Sequence, residues 1–412
     1  MGVSNDSVLT PVCGRDTIAG MNYIYLSPHF PPNYFQFCVH LRRLGVNVLG
    51  LADEPYEMLR PELQDALTEY YRVDDMHNYD QLLRACGHFT HRYGKIDRID
   101  SHTEYWMETE ARLRSDFNIN GMKLPELTTI KSKSMMKKVF EKAGVAAARG
   151  DLVCSLEEAQ RCAYEIGYPL VAKPDIGVGA ANTFKVSSAT DLEKFFAQKP
   201  PGDYVLEEFI EGDICTFDGL ADKDGNPVFL SSMRYSHGIM ETVNEDRHIY
   251  FYTLREIPAD LEEAGRRLLK AFDVRERFFH FEFFRSPRDG RIIAIEVNMR
   301  PPGGPTTDMF NYANDIDIYW EWASIVVNNR FVEDYTRKYH CCFVGRKFNK
   351  NYVHSHAEII GSLGPLVIHH QPVSAVFSLA MGNYAYLLRS PSLAEIITAA
   401  EFIQELRDAH AH

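Results

Sequence analysis

What this 412-residue sequence lacks removes whole classes of function. No apolar run approaches the roughly 20 residues that a membrane-spanning helix needs, so no membrane partner is expected. Met1–Gly20 lack the basic start and apolar middle of a secretory leader, and Asp6 stands where a myristoylation signal needs Ser or Thr. Residues 1–20 therefore read as a flexible extension. The eight cysteines show no CxxC spacing, and Cys341 and Cys342 are neighbours, which argues against zinc ribbons and disulfide scaffolds. Reduced thiols and a cytoplasmic location follow as expectations. Positive charge is in deficit: 44 Lys and Arg against 57 Asp and Glu leave −13, the wrong sign for a nucleic-acid binder. The first strand-to-helix turn, "SPHFPPNY" (27–34), has no glycine cluster, so a dinucleotide fingerprint is absent.

What is present is the balance of a globular protein, 45% hydrophobic and 25% charged, long enough for several domains. Residues 22–27 read as a buried strand, followed by a helix over 34–44 that Gly45 closes, and then the strand "VNVLGLA". A helix over 78–93, the strand "IDRIDS" and a helix from Glu104 continue the alternation, which implies a parallel sheet. Beyond Pro125 the texture changes. Met135, Met136, Val139, Phe140 and Ala143 recur at helical steps before Gly144, and "SLEE" (155–158) is a capping box opening a helix that ends at Gly167. Strands and hairpins follow: "YPLVAKP", "NTFKVSS", "YVLEEFI", "TFDGLAD" with "NPVFLSS", and "FFHFEFF" with "RIIAIEVN". Beyond Phe331, "HAEIIGSLG" and "AVFSLAMGNYAYLL" read as strands of a small C-terminal subdomain, closed by a helix over 392–406.

The chemistry concentrates in the last hairpin. Alternation places Ile292, Ala294, Glu296 and Asn298 on one face of their strand. A register centred on Asp289 sets Glu282 directly opposite Glu296. Two facing carboxylates repel unless a cation sits between them, and Glu, Glu and Asn offer hard oxygens suited to Mg²⁺ or Mn²⁺. In "GYPLVAKPDIGVGAANTFKV", Lys173 ends a buried strand and Gly177 and Gly179 follow, a loop able to bring backbone N–H groups close to a phosphate. It lacks the Gly-Lys-Ser/Thr of a Walker A loop. A plain hairpin loop with a surface Lys is the other reading. In "YVLEEFIEGD", Glu207 and Glu208 interrupt an apolar strand, which an edge strand with one wet face also explains.

In their order and spacing these elements resemble the ATP-grasp superfamily over about residues 22–330, including carboxylate–amine ligases and the biotin carboxylase-like branch. The resemblance implies a mixed α/β and α+β ATP-grasp architecture. Its parts are a Rossmann-like parallel-sheet domain (21–125), a first lobe with a glycine-rich lid (126–206), a second lobe with the metal site (207–330) and the C-terminal subdomain (331–412). It further implies that Glu282, Glu296 and Asn298 hold two Mg²⁺ ions, and that Arg300 steadies the γ-phosphate or an acyl phosphate. Lys173 and Lys133 would contact ATP phosphates beneath a lid around Gly177 and Gly179. In the hinge strand, through Phe209, the Glu208 carbonyl and the Ile210 amide would read adenine, with the Glu207 side chain toward its amine. Three positions depart from the family pattern: Ser132 replaces an acid, Asn182 a lid glycine, and Ile214 the ribose-binding Glu, for which Asp213 would substitute.

The activity so implied is ATP-dependent ligation of a small carboxylate to an amine through an acyl phosphate. Phosphorylation of bicarbonate or formate, and a non-catalytic nucleotide binder of synapsin type, are the alternatives. On the substrate side, Arg234 in "SSMRYSHG" is a candidate carboxylate clamp, with a surface loop Arg as the competing reading, and Glu104 a candidate partner for an amine. "RPPGGPTTD" would border the substrate. A homodimer is compatible with all of this.

Overall fold

The computed structural model describes residues 20–177, 182–238, 242 and 245–407, so all but the last residue of the expected extension lies outside them. Strands β1 (Asn22–Leu26), β2 (Asn47–Ala52), β3 (Glu69–Arg72) and β4 (Arg98–Asp100) form a parallel sheet in the order β3-β2-β1-β4. β1 and most of β2 are buried, as strands covered by helices on both faces must be. The helices Phe35–Arg43 and Tyr79–Tyr93 make two of the crossovers, the second capped by the Asn78 side chain. Strand order reverses between β1 and β4. Open α/β sheets bind ligands beyond the carboxyl ends of their strands at such a point, here the turn after Leu26 and the segment Ser101–Glu104.

The second sheet is antiparallel and contains β5 (Gly150–Val153), β6 (Leu170–Pro174), β7 (Phe184–Val186) and β8 (Tyr204–Glu208), in the order β5-β8-β6-β7. The helices Leu156–Ile166 and Ala189–Gln198 cover it around Ala159, Leu170, Leu192 and Leu206. Ser155 caps the first of these as expected, while the Glu158 carboxylate takes the N–H of Cys154, one residue before the cap.

The third sheet runs β14-β13-β9-β11-β12-β15-β17-β16, with β10 paired to β9. Its strands are β9 (Asp213–Ala221), β10 (Pro227–Ser231), β11 (Met233–Tyr235), β12 (Tyr250–Thr253), β13 (Arg277–Arg285), β14 (Ile292–Asn298), β15 (His340–Arg346), β16 (Val367–Pro372) and β17 (Tyr384–Ser390). Of the expected C-terminal subdomain, 331–412, the described residues up to 407 continue this sheet through β15, β17 and β16. Two local expectations fail here. "HAEIIGSLG" is the helix His356–Leu363, opened by a Ser355–Glu358 capping box. "AVFSLAM" coils into short helical turns that stop at Gly382 (φ +83°), and only Tyr384–Ser390 is strand. Apolar runs this short do not distinguish helix from strand; in the first only Ile359 is buried, and in the second Val376 and Leu379 are exposed. β3 escaped notice because "EYYR" is short and lacks alternation.

Arg277 Nη2 donates to Asp100 Oδ2 at 3.2 Å, and Arg98 grips both oxygens of Glu276 at 2.6 and 2.9 Å. These pairs fasten the first sheet to the base of the β13–β14 hairpin. The seven cysteines among the described residues are free thiols, and no helix there is long and apolar enough to cross a membrane.

The helix Ala259–Ala271 packs on β9 through Gly265, where an added Cβ would lie 2.2 Å from the Phe217 ring. Gly265→Ala gains about 1 kcal/mol of helix propensity but overpacks the core by about 1–3 kcal/mol. The net expectation is a lower urea midpoint; a raised midpoint would show that the helix has room to move.

Candidate active site

The β13–β14 hairpin places Glu282 directly opposite Glu296, with a bulge between Glu282 and Phe283. Phe279, Phe281 and Phe283 pack into the core on one face of β13; His280 and Glu282 occupy the other. Asn298 follows at the correct alternation and donates from Nδ2 to Glu296 Oε1 at 3.3 Å. Lys133 Nζ stands 3.6 Å from Glu296 Oε2 and donates to the Gly177 carbonyl at 3.0 Å. Arg300 directs Nε and Nη2 to Glu104 Oε2 at 3.2 and 3.1 Å and Nη1 to the Pro301 carbonyl at 3.0 Å. Glu104 therefore meets Arg300 in this structure, at the switch point of the first sheet.

A second group gathers on β6 and β8. Lys173 Nζ pairs with Glu207 Oε1 at 2.5 Å, and Lys137 Nζ donates to Glu207 Oε2 at 3.1 Å. Both Glu207 oxygens are thus held by lysines, where the resemblance had one facing adenine. Lys133 and Lys137 are four residues apart on the helix Lys133–Lys142, hence on one face. That face ties the Glu207–Lys173 pair to the Glu282–Glu296 pair across the gap between the second and third sheets. The N–H of Arg149 goes to the Glu208 carboxylate at 2.9 Å and not to its carbonyl. Phe209 carries Lys185 Nζ 3.9 Å from its ring centre. Asp213 is exposed at the start of β9, opposite Arg285. Ser132, where the family pattern has an acid, donates its hydroxyl to Asp175 Oδ2 at 2.8 Å, at the stem of the glycine loop. Gly177 belongs to that stem; Gly179 lies outside the described residues.

Arg234 requires a correction. Its Cα partners are Cys215 and Tyr252, and Cys215 in turn pairs with Phe283, so Arg234 faces away from Glu282. A one-residue offset on a strand exchanges faces, and it is Tyr235 that turns toward Glu282, Asp218 and Arg300.

Sequence reading missed a buried chain behind Glu282. Thr216 Oγ1 donates to Asp218 Oδ2 at 2.5 Å, Asp218 Oδ1 lies 2.6 Å from His280 Nδ1, and His280 Nε2 lies 3.0 Å from Glu282 Oε1. His280 was within reach of the alternation rule, two residues before Glu282; Asp218 needed the long-range register of β9 against β13. Burial opposes a charged imidazole, yet Asp218 and Glu282 outweigh it and raise the His280 pKa to about 9. Burial likewise opposes ionisation of Glu282, but His280, Arg300 and Lys133 hold its carboxyl below the usual range. Glu296 is pushed up by burial and by Glu282, with Lys133 only partly offsetting them.

Among the described residues no three His, Cys, Asp or Glu side chains form a closed metal cage. The two acids with Asn298 make an open, oxygen-only donor set whose mutual repulsion a divalent cation would relieve, so the residues fit Mg²⁺.

Residues 166–308 match the family model described as ATP-grasp domain. Over that segment the chain is similar to ATP-grasp domains. It is 26% identical over 239 residues to the L-arginine-specific L-amino acid ligase of Bacillus subtilis, a match covering 56% of this chain and 57% of that protein. In fold it is similar to an L-amino acid ligase from Bacillus licheniformis (TM-score 0.70, 14% identity, 95% of this chain and 98% of that one). It is also similar to the biotin carboxylase domain of the Hydrogenobacter thermophilus 2-oxoglutarate carboxylase, solved with MgADP, ADP and bicarbonate. There the TM-score is 0.65 at 17% identity, over 93% of this chain and 90% of that one. The overall architecture is thus the ATP-grasp fold, with the matched domain holding Lys173, Glu207, Glu282, Glu296 and Arg300.

Glu207 is the buried partner of two lysines, and removing one partner of a buried ion pair typically costs about 3–5 kcal/mol. Glu207→Ala should lower the unfolding free energy of the protein by about 3 kcal/mol in urea titration. Unchanged stability would mean that the lysines are solvated without it.

Proposed function

We propose that this protein is an ATP-dependent carboxylate–amine ligase that forms an amide bond through an acyl phosphate and releases ADP and phosphate. The observation that carries the reading is the convergence of Glu282, Glu296, Asn298, Lys133 and Arg300, joined by the helix Lys133–Lys142 to Lys173 and Glu207 on the second sheet. A carboxylate resists attack because its charge is delocalised and its leaving group would be oxide. Phosphoryl transfer from ATP gives the same carbon a good leaving group, which an amine then displaces.

In this reading Lys133 and Lys173 neutralise the ATP phosphates, and Arg300 faces charge on the transferring phosphoryl group. The Glu208 carbonyl, which accepts no turn or side-chain hydrogen bond among the described residues, and the Ile210 amide would receive the adenine edge beside the Phe209 ring, with Asp213 the candidate for the ribose. Glu282, Glu296 and Asn298 hold two Mg²⁺ ions, with Mn²⁺ able to replace them; when bound, these ions stabilise charge on the transferring phosphoryl group. His280, braced by Asp218 and Thr216, keeps Glu282 oriented and ionised. Glu104 holds Arg300 and is displaced or shared when a substrate amine arrives. Resemblance to the Bacillus ligases supports amino acids as both substrates. The biotin carboxylase domain, crystallised with bicarbonate, supports a second reading in which bicarbonate is phosphorylated.

Phosphate release from MgATP, screened over pairs of amino acids and against bicarbonate, should appear only with a carboxylate–amine pair. Glu296→Gln should reduce that rate by about 10²–10³, as loss of one electrostatic stabiliser does elsewhere. Background release with every pair while MgATP still binds would end the ligase reading, and full activity in Glu296→Gln would end the metal assignment.

A further inference from the structure

Beside the Pro-Pro-Gly-Gly turn lies a cavity of about 370 Å³, lined by Asn33 of the first strand-to-helix turn, Gly304 and Pro305, and the segment from His369 to Met381. Phe35, Tyr312, Phe343 and Phe377 give it apolar walls. Asp308 lines it too, half-buried in the first turn of the helix Thr306–Asn314.

Asp308 takes its hydrogen bonds only from neutral groups, with His369 near enough to favour its charge and Asp317 to oppose it. Its Oδ1 accepts the Tyr319 hydroxyl at 2.7 Å and its Oδ2 accepts Asn33 Nδ2 at 3.1 Å. Thr307 completes the network through Tyr319 at 2.7 Å. Among the described residues no Lys, Arg or His makes an ion pair with it. The cationic side chains at the rim are committed elsewhere. Arg60 stacks 3.7 Å over the Phe35 ring and bonds both Glu62 oxygens at 3.1 and 3.3 Å, and His369 Nε2 shares a hydrogen bond with Gln371 at 3.2 Å. A carboxylate has about four acceptor sites, and the Tyr319 and Asn33 donors fill two of them. The helix N-terminus offsets part of its charge, yet burial still raises the Asp308 pKa. A charged group that an apolar pocket leaves unpaired is costly to the protein alone and valuable to a ligand that pairs with it. Arg300 stands four residues before Gly304, so one short segment of chain joins the Arg300–Glu104 pair to the cavity wall.

We propose that this cavity is a specificity pocket for a substrate carrying an ammonium or guanidinium group, which Asp308 receives while the aromatic walls enclose the aliphatic part. The identification of that ligand as a substrate rests on the ligase reading; the binding itself does not.

Calorimetry on the full chain decides it, using two pairs of probes that differ in one positive charge: L-arginine against L-citrulline, and L-norleucine against hexanoate. The first pair asks about a side-chain cation, the second about an α-ammonium. The native protein should bind the cationic member of at least one pair about tenfold more tightly, and Asp308→Asn should shrink that ratio below about threefold. Val373→Lys, which leaves the Asp308 network intact and adds a competing cation to the cavity wall, should shrink it too. The assignment fails if neither pair splits in the native protein, or if the split survives in both variants at an unchanged melting temperature. Phosphate release measured in parallel separates the two ideas. A split without turnover keeps the pocket and removes the ligase reading, whereas turnover without a split does the reverse.

Discussion

Glu282 and Glu296 face each other across a hairpin, and two carboxylates in that position repel. The strands cannot slip to relieve the strain. β13 is paired on both sides, to β14 and along its full length to β9, and a one-residue slip would carry Phe279, Phe281 and Phe283 out of the core. Three fully buried phenylalanines are worth several kcal/mol of transfer free energy, about 2–3 kcal/mol each, more than the hairpin loses to repulsion between partly compensated charges. Packing therefore imposes the electrostatic problem. The neighbouring side chains answer it: His280 on Glu282, Lys133 on Glu296, and Asn298 donating to the second acid. What they leave unanswered is a local excess of oxygen donors, and that excess is what makes the place fit for a divalent cation.

The answer is distributed between elements that have no other reason to meet. Lys133 and Lys137 project from one helix face to acids on two different sheets, while Met136 and Phe140 bury the remainder of that helix. A buried lysine is expensive unless paired, so each pairing also fixes the distance between the sheets. A nucleotide entering the cleft would exchange these internal partners for phosphate oxygens. Lys173 is poised for that exchange, since Glu207 keeps Lys137 when Lys173 turns to a phosphate.

Much of this was legible because it depends on short-range rules. The facing pair came from alternation and a turn centre, and the first parallel sheet came from strand ends and helix caps. What stayed hidden depends on registers that join distant segments. Asp218 meets His280 only because β9 pairs with β13, and Lys137 meets Glu207 only because its helix lies over a different sheet. Arg234 shows the sharper failure. Its position in the chain was right for the cleft, but the single bridge between β11 and β9 sets its face, and Tyr235 took the place assigned to it. The helical turns at His356–Leu363 and Ala375–Met381 were misread because runs of apolar residues this short carry no period.

The first sheet explains why the substrate side gathers where it does. Its reversal between β1 and β4 opens a crevice at their carboxyl ends, and both edges of that crevice carry groups of the site. From β4 comes Glu104, which holds Arg300; from the turn after β1 comes Asn33, which holds Asp308. Arg300 and Asp308 belong in turn to the two ends of one short segment that follows β14. The proline-rich turn after β1 does not cradle phosphate, as a glycine-rich turn in that position would; it closes the wall of an apolar pocket instead. The same topological feature that serves a dinucleotide elsewhere is thus turned here toward Arg300 and Asp308.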